Sequence, residues 1–187
     1  MRALLESAAG GRPSAEPHRP VSSLRSSGRV MLARGLATAV VVVVLDQLTK
    51  AVIVASLAGG AVSGRLTIAS FFNLVLTYNR GISFGLFNGG AGVNALVFSI
   101  VAAVIVGVLV YWLSRASNPL LAVAIGLIIG GAVGNVLDRI RFGAVVDFLD
   151  FHVGDLHWPA FNLADGAICV GVAAMLLDSL VLRREAH

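Results

Sequence analysis

Four apolar runs, each long enough to cross a bilayer, constrain this chain more than any other feature of it. They cover 35–58, about 93–113, about 119–137 and about 161–182. A spanning helix needs roughly 20 predominantly apolar residues. The expected fold class is therefore an all-α polytopic membrane protein with four transmembrane helices. Composition agrees: of 187 residues, 57% are hydrophobic and only 13% charged. Soluble domains carry about 25% charged residues. Tyr111 and Trp112 close the second run and Trp158 precedes the fourth, as interfacial anchors do. Pro119 opens the third, where a missing N–H costs nothing.

The flanks set an expected orientation. The net charge is +4, and six of the fourteen basic residues, all Arg, lie before residue 35. That is a flank charge, not a basic face for nucleic acid, so no nucleic-acid partner is expected. Residues 1–30 are rich in Arg, Ser, Gly, Pro and Ala and show no period. They read as a disordered basic cytoplasmic tail without the apolar core of a cleavable signal peptide. Met31 is a candidate true start, and 31–187 read as one four-helix domain. Arg25, Arg29, Arg34, Arg115, Arg183 and Arg184 fall on one side of a four-span bundle. The positive-inside rule makes that side, with both termini, cytoplasmic. The connections 59–92 and 138–160 then face outward. In the first, Phe72, Leu74, Leu76 and Tyr78 alternate with Asn73, Val75, Thr77 and Asn79. Period two reads as a strand, and Asn79-Arg80-Gly81 as a turn. A small extracytoplasmic β-platform is expected there. The lone Cys169 reads as a buried small hydrophobe.

Charged residues inside apolar runs need partners or a function. Asp46 and Lys50 stand four apart on one helical face and can pair, which favours a structural role. The third run ends in GGAVGNVLDRI. Its Gly130, Gly131 and Gly134 permit close helix contact. Asn135 and Arg139 share a face, and Asp138 and Arg139 are expected at the outer interface, where charge is cheaper. This is either an ordinary basic helix terminus or a polar wall whose Arg139 and Asn135 hold peptide carbonyls.

Asp147 follows between Val146 and Phe148, and Asp165 lies about one turn into the fourth run, three residues after Asn162. Both carboxylates approach the same outer edge. Apolar surroundings raise a carboxyl pKa, and two close carboxylates share a proton. One then takes a proton from water while the other protonates a peptide carbonyl and its leaving amine. That is aspartic proteolysis, and it needs no metal. Buried acids equally suit a proton-coupled carrier, and an inert membrane scaffold is the third reading. Clustering at one edge tilts the balance towards surface chemistry; spacing by itself leaves protease and carrier both open. His152 and His157 near Asp150 and Asp155 match no common ligand spacing, so they are expected to be loop residues and no metal is expected.

Five motifs in order carry a resemblance: DQLTK (46–50), NRGISFG (79–85), GGAVGNVLDR (130–139), VVDF (145–148) and FNLAD (161–165). The chain resembles, over about 35–182, the prolipoprotein signal peptidases, or signal peptidase II. The resemblance implies a bacterial inner-membrane aspartic endopeptidase with four spans and cytoplasmic termini. Its substrates are prolipoproteins bearing a diacylglyceryl-modified cysteine, cut just before that cysteine at the membrane surface, without cofactor. Mapped onto this chain, it makes Asp147 and Asp165 catalytic. Asn79, Gly81, Asn135, Arg139 and Asn162 bind substrate or support the site. Asp46, Lys50 and Asp138 form structural polar contacts. ISFG after Arg80-Gly81 and Gly166 after Asp165 depart from the usual pattern without touching the acids.

Overall fold

The computed structural model describes residues 21–59, 64–81 and 90–184. Four long helices alternate with a small sheet in the order α1 (Val21–Leu57), β1 (Arg65–Ala69), β2 (Phe72–Asn79), α2 (Gly90–Leu113), α3 (Pro119–Phe142), β3 (Val145–Val153), β4 (Leu156–His157) and α4 (Leu163–Arg184). All four helices are long and apolar enough to cross a membrane. α3 is central and packs against the other three. Their shared core is built from Ala39, Leu109, Leu113, Ala122, Ile125, Ile128 and Ile129. The outward faces are equally apolar: Val40, Val44 and Leu48 on α1 and Leu96, Ile100 and Val104 on α2 are all exposed. Such a surface is stable in hydrocarbon and not in water.

Two boundaries differ from the sequence reading. α1 starts at Val21, so 21–30 are helical and not a disordered tail; residues 1–20 lie outside the described residues. The segment contains Leu24, Arg25 and Arg29, all good helix formers, and extending an existing helix is far easier than nucleating one. α3 runs on to Phe142, past the expected end at 137. The polar residues of its last turns find partners, as described below. Gly143, in the left-handed region at φ 67°, then ends it by donating its N–H to the Arg139 carbonyl. At the opposite end of the helix Asn118 accepts from the Leu121 N–H at 2.8 Å and donates to Asp178 of α4 at 3.0 Å, fastening the start of α3 to the end of α4.

The sheet has the order β1-β2-β3-β4, every pair antiparallel. β2 covers the alternating stretch anticipated from period two. It sits against the end of α1, where Leu74, Leu76 and Leu149 pack on Ile53, Leu57 and Phe148. β3 was not anticipated as a strand. His152 and His157, expected in a loop, are instead cross-strand partners with rings stacked at 4.7 Å. Asp147 and Phe148, adjacent on β3, point to opposite faces. Phe148 goes to α1, and Asp147 to the start of α4.

Candidate active site

The site lies where β3 and the first turn of α4 meet the last turns of α3. Asn162 is the residue just before α4. Its Oδ1 accepts from the Asp165 N–H at 3.0 Å, while Asp165 Oδ2 accepts from the Asn162 N–H at 3.2 Å. This is a reciprocal capping box, with an acid at the third helical position. Asp165 therefore has a local structural reason to be there. Its other oxygen, Oδ1, faces outward from the cap and accepts from Asn135 Nδ2 at 2.8 Å.

Asn162 also reaches across to the other acid. Its Nδ2 donates to Asp147 Oδ1 at 2.7 Å and to the Val146 carbonyl at 3.2 Å. Asn79, from β2, donates to Asp147 Oδ2 at 3.0 Å. One fully buried residue thus contacts both carboxylates, donating to Asp147 from its side-chain nitrogen and to Asp165 from its backbone N–H, while its side-chain oxygen caps the Asp165 N–H. Among the described residues no Lys or Arg forms an ion pair with either acid. Burial is the main cause that pushes the Asp147 carboxyl up to about 6, and the Asp165 charge adds to it. The hydrogen bonds from Asn79 and Asn162 and the Lys50 charge pull the other way.

Behind Asn135 lies a second cluster, in which two carboxylates share one ammonium. Lys50 Nζ contacts Asp46 Oδ2 at 2.8 Å, Asp138 Oδ2 at 2.7 Å and Asn135 Oδ1 at 3.1 Å, with all three charged groups almost fully buried. Asp138 is thus 1% exposed, enclosed by the protein. Its cost of burial is offset by Lys50, by Gln47 Nε2 at 2.9 Å and by the Val146 N–H at 3.1 Å. Asp46 Oδ1 accepts from the Ala164 N–H at 3.0 Å, supplying a partner for an otherwise unsatisfied donor of the α4 terminus. Gly134 makes this approach possible: a Cβ there would meet Asp46 Oδ2 at 2.6 Å.

The remaining predicted residues surround the acids. Arg139 is half-buried, donates to the Asn135 carbonyl at 3.3 Å and stacks over Phe98 at 5.4 Å, so most of its guanidinium donors point elsewhere. Gly81 has φ 88°, and its N–H donates to Asn79 Oδ1 at 2.9 Å, which turns the Asn79 amide nitrogen towards Asp147. The Ile82–Gly85 stretch beyond it lies outside the described residues. Asp147 opens on a cavity of about 490 Å³ lined by Thr77, Asn79, Gly81, Pro159 and Ala160. Sequence reasoning missed Gln47, which bonds Asp138 and accepts from Arg141 at 2.6 Å. Its place inside an apolar run was the available signal. It also missed the Asn73–Asp150 bond at 2.9 Å.

Comparisons with known proteins agree with this architecture. The family model described as signal peptidase (SPase) II matches residues 38–181. A protein of Paraburkholderia phymatum named lipoprotein signal peptidase is 45% identical over 150 residues, covering 80% of this chain and 89% of its own. A protein of the same name from Burkholderia mallei is 43% identical over 157 residues, covering 83% and 92%. Two solved bacterial membrane enzymes share the fold. One has a TM-score of 0.68 at 31% identity, covering 78% of this chain and 92% of its own. The other has 0.64 at 32%, covering 78% and 87%. The motif order, the four spans and a family match reaching across nearly all of them mean that the chain belongs to the signal peptidase II family.

Proposed function

We propose that this protein removes signal peptides from diacylglyceryl-modified prolipoproteins, with Asp147 and Asp165 as its catalytic pair. The observation that carries the assignment is Asn162, which bonds both carboxylates and holds each on a rigid element. The pair works with one proton between its members. Burial pushes the Asp147 carboxyl up to about 6, which favours it as the member that carries the proton into the reaction. Asp165 takes a proton from water, the resulting hydroxide attacks the scissile carbonyl, and Asp147 protonates the developing oxyanion. Asp165 then gives the proton it took from water to the leaving amine while Asp147 takes one back from the diol hydroxyl as the carbonyl re-forms, and the pair returns to its starting state. The two pKa values belong to the pair as a unit.

The surrounding residues take supporting roles in this reading. Asn79 and Asn162 orient Asp147, and Asn135 orients Asp165 while insulating it from Lys50. Arg139 and the cavity beside Gly81 receive the substrate backbone. Asp46, Lys50 and Asp138 hold α1, α3 and α4 together beneath the site. The substrate's acyl chains stay in the bilayer, so it enters sideways between helices. The sheet faces the extracytoplasmic side and both termini the cytoplasm, as the Arg-rich flanks favour.

The test is cleavage of a lipid-modified prolipoprotein, followed as the mobility shift on signal-peptide loss. Asp147→Asn and Asp165→Asn keep the shape and one acceptor oxygen but cannot shuttle the proton. Each should lower the rate by about 10²–10⁴-fold, the range for a positioned acid or base. Full cleavage in either variant would sink the pair. Cleavage abolished by a chelator would point to metal chemistry instead.

A further inference from the structure

β3 carries Asp147, turns at Gly154 and is followed by a return limb that ends at Asn162. The register of that limb decides where Asn162 lands. Backbone bonds fix it at two places. Near the turn, His157 pairs with His152, and the Trp158 N–H donates to the Phe151 carbonyl at 2.8 Å. Near the site, Phe161 and Leu149 exchange bonds of 3.1 and 2.8 Å. Between these points the pairing slips: three residues of the return limb, from Trp158 to Phe161, pass only two of β3, from Phe151 to Leu149. The extra residue makes a bulge at Pro159-Ala160, and Pro159 has no N–H to give. Asp150 stands opposite this gap in the ladder.

A side-chain link bridges it. His157 Nδ1 lies 2.7 Å from Asp150 Oδ1. A carboxylate only accepts, so Nδ1 carries the hydrogen. Asp150 Oδ2 accepts from Asn73 at 2.9 Å and faces the Arg65 guanidinium at 3.6 Å. One buried carboxylate thus joins all four strands. Burial by itself would raise its pKa, but the bonds from His157 and Asn73 and the charges of His157 and Arg65 outweigh that and hold it below the ordinary value. By strand alternation Asp150 sits on the face of β3 opposite Asp147, so it does not enter the cavity itself.

We propose that Asp150 and His157 are positioning residues, which lock the return limb in the register that delivers Asn162 to Asp147. The inference rests on the catalytic reading of Asp147 above. The test uses the full chain in lipid, with lipid-modified prolipoprotein as substrate. Asp150→Ala and His157→Ala should each lower kcat/KM roughly 10–100-fold, as small displacements of catalytic groups do. The double variant should be no worse than the poorer single one, because the two act as a unit. His157→Asn, which keeps a donor near the Nδ1 position, should recover most of the activity. A second readout separates positioning from mere stability. Loosening Asn162 removes a bond that lowers the Asp147 pKa, so the alkaline limb of the kcat/KM profile should move to higher pH. Additive losses, an unmoved limb, or normal kcat/KM per folded molecule would each overturn the proposal. If Asp150→Ala does not fold, the His157→Ala and His157→Asn pair decides by the same criteria. Asp147→Asn is measured alongside: full activity there would refute the catalytic pair instead of the positioning link.

Discussion

Two buried acidic clusters sit side by side in this molecule, built from the same residue type and held by opposite kinds of partner. In one, Asp46 and Asp138 share Lys50, and every carboxylate oxygen has a donor from Lys50, Gln47 or a backbone N–H. In the other, Asp147 and Asp165 are held by neutral amides and a backbone N–H. In the first, Lys50 holds both carboxylates in short ion pairs that fasten α1 to α3. Neutral donors hold carboxylates in place while leaving a proton free to move between them. Asn135 stands between the clusters, accepting from Lys50 and donating to Asp165. It transmits rigidity from one to the other without passing on a full charge.

The contrast breaks most sharply under removal of the cation. Lys50→Met leaves Asp46 and Asp138 buried without a counter-charge and should destabilise the bundle by about 3–5 kcal/mol, the usual cost of breaking a buried pair. Thermal unfolding in detergent measures it. A loss under 1 kcal/mol would mean the cluster is wetter than its burial indicates.

The cluster of Asp147 and Asp165, the proposed catalytic pair, should respond with the opposite sign. Asp147 titrates near 6 in the folded chain against 3.8 for its ordinary value. The folded protein therefore keeps a proton that the unfolded chain has already lost. The stability this confers is complete below pH 3.8 and is lost as pH rises through about 6. Asp147→Asn does not titrate, so relative to its standing at pH 4 it should gain on the parent up to pH 6 and then hold a constant advantage. The gain is at most about 3 kcal/mol, from 1.36 kcal/mol per pKa unit. Melting curves of both proteins between pH 4 and 8 would show it, and parallel curves would count against the raised pKa.

Activity sharpens the same point. The pair loses its shared proton as pH rises through about 6, so kcat/KM should fall on the alkaline side from there. A profile flat from pH 5 to 9 would remove Asp147 as the proton carrier. The smallest effect is expected at the outer edge of the Lys50 cluster. Arg141 is exposed and touches it only through Gln47. Arg141→Ala should cost less than about 1 kcal/mol, as exposed polar contacts do, and leave kcat/KM unchanged.

Much of this was legible without coordinates, though unevenly. The four spans follow from apolar length, because a bilayer has a fixed thickness. The Asp46–Lys50 pair follows from helical spacing, since residues four apart share a face. The β2 strand follows from period two. The partner of Asp138 could not be read in the same way, because Lys50 lies 88 positions earlier in the chain and no local pattern reports such a distance. β3 escaped notice for a related reason. Its Val-Val-Asp-Phe-Leu-Asp run is buried on both faces at its start, so it shows no clean alternation.

The sequence by itself determined which segments must cross the membrane and which acids would be costly there, because hydrophobic length and desolvation act locally along the chain. Only the tertiary structure decided what each acid meets. It gave Asp138 a cation, and it gave Asp147 and Asp165 one shared asparagine. The reason is physical: a carboxylate's protonation depends on the few groups within hydrogen-bonding reach, and here those groups come from α1, β2, α3 and the α4 cap.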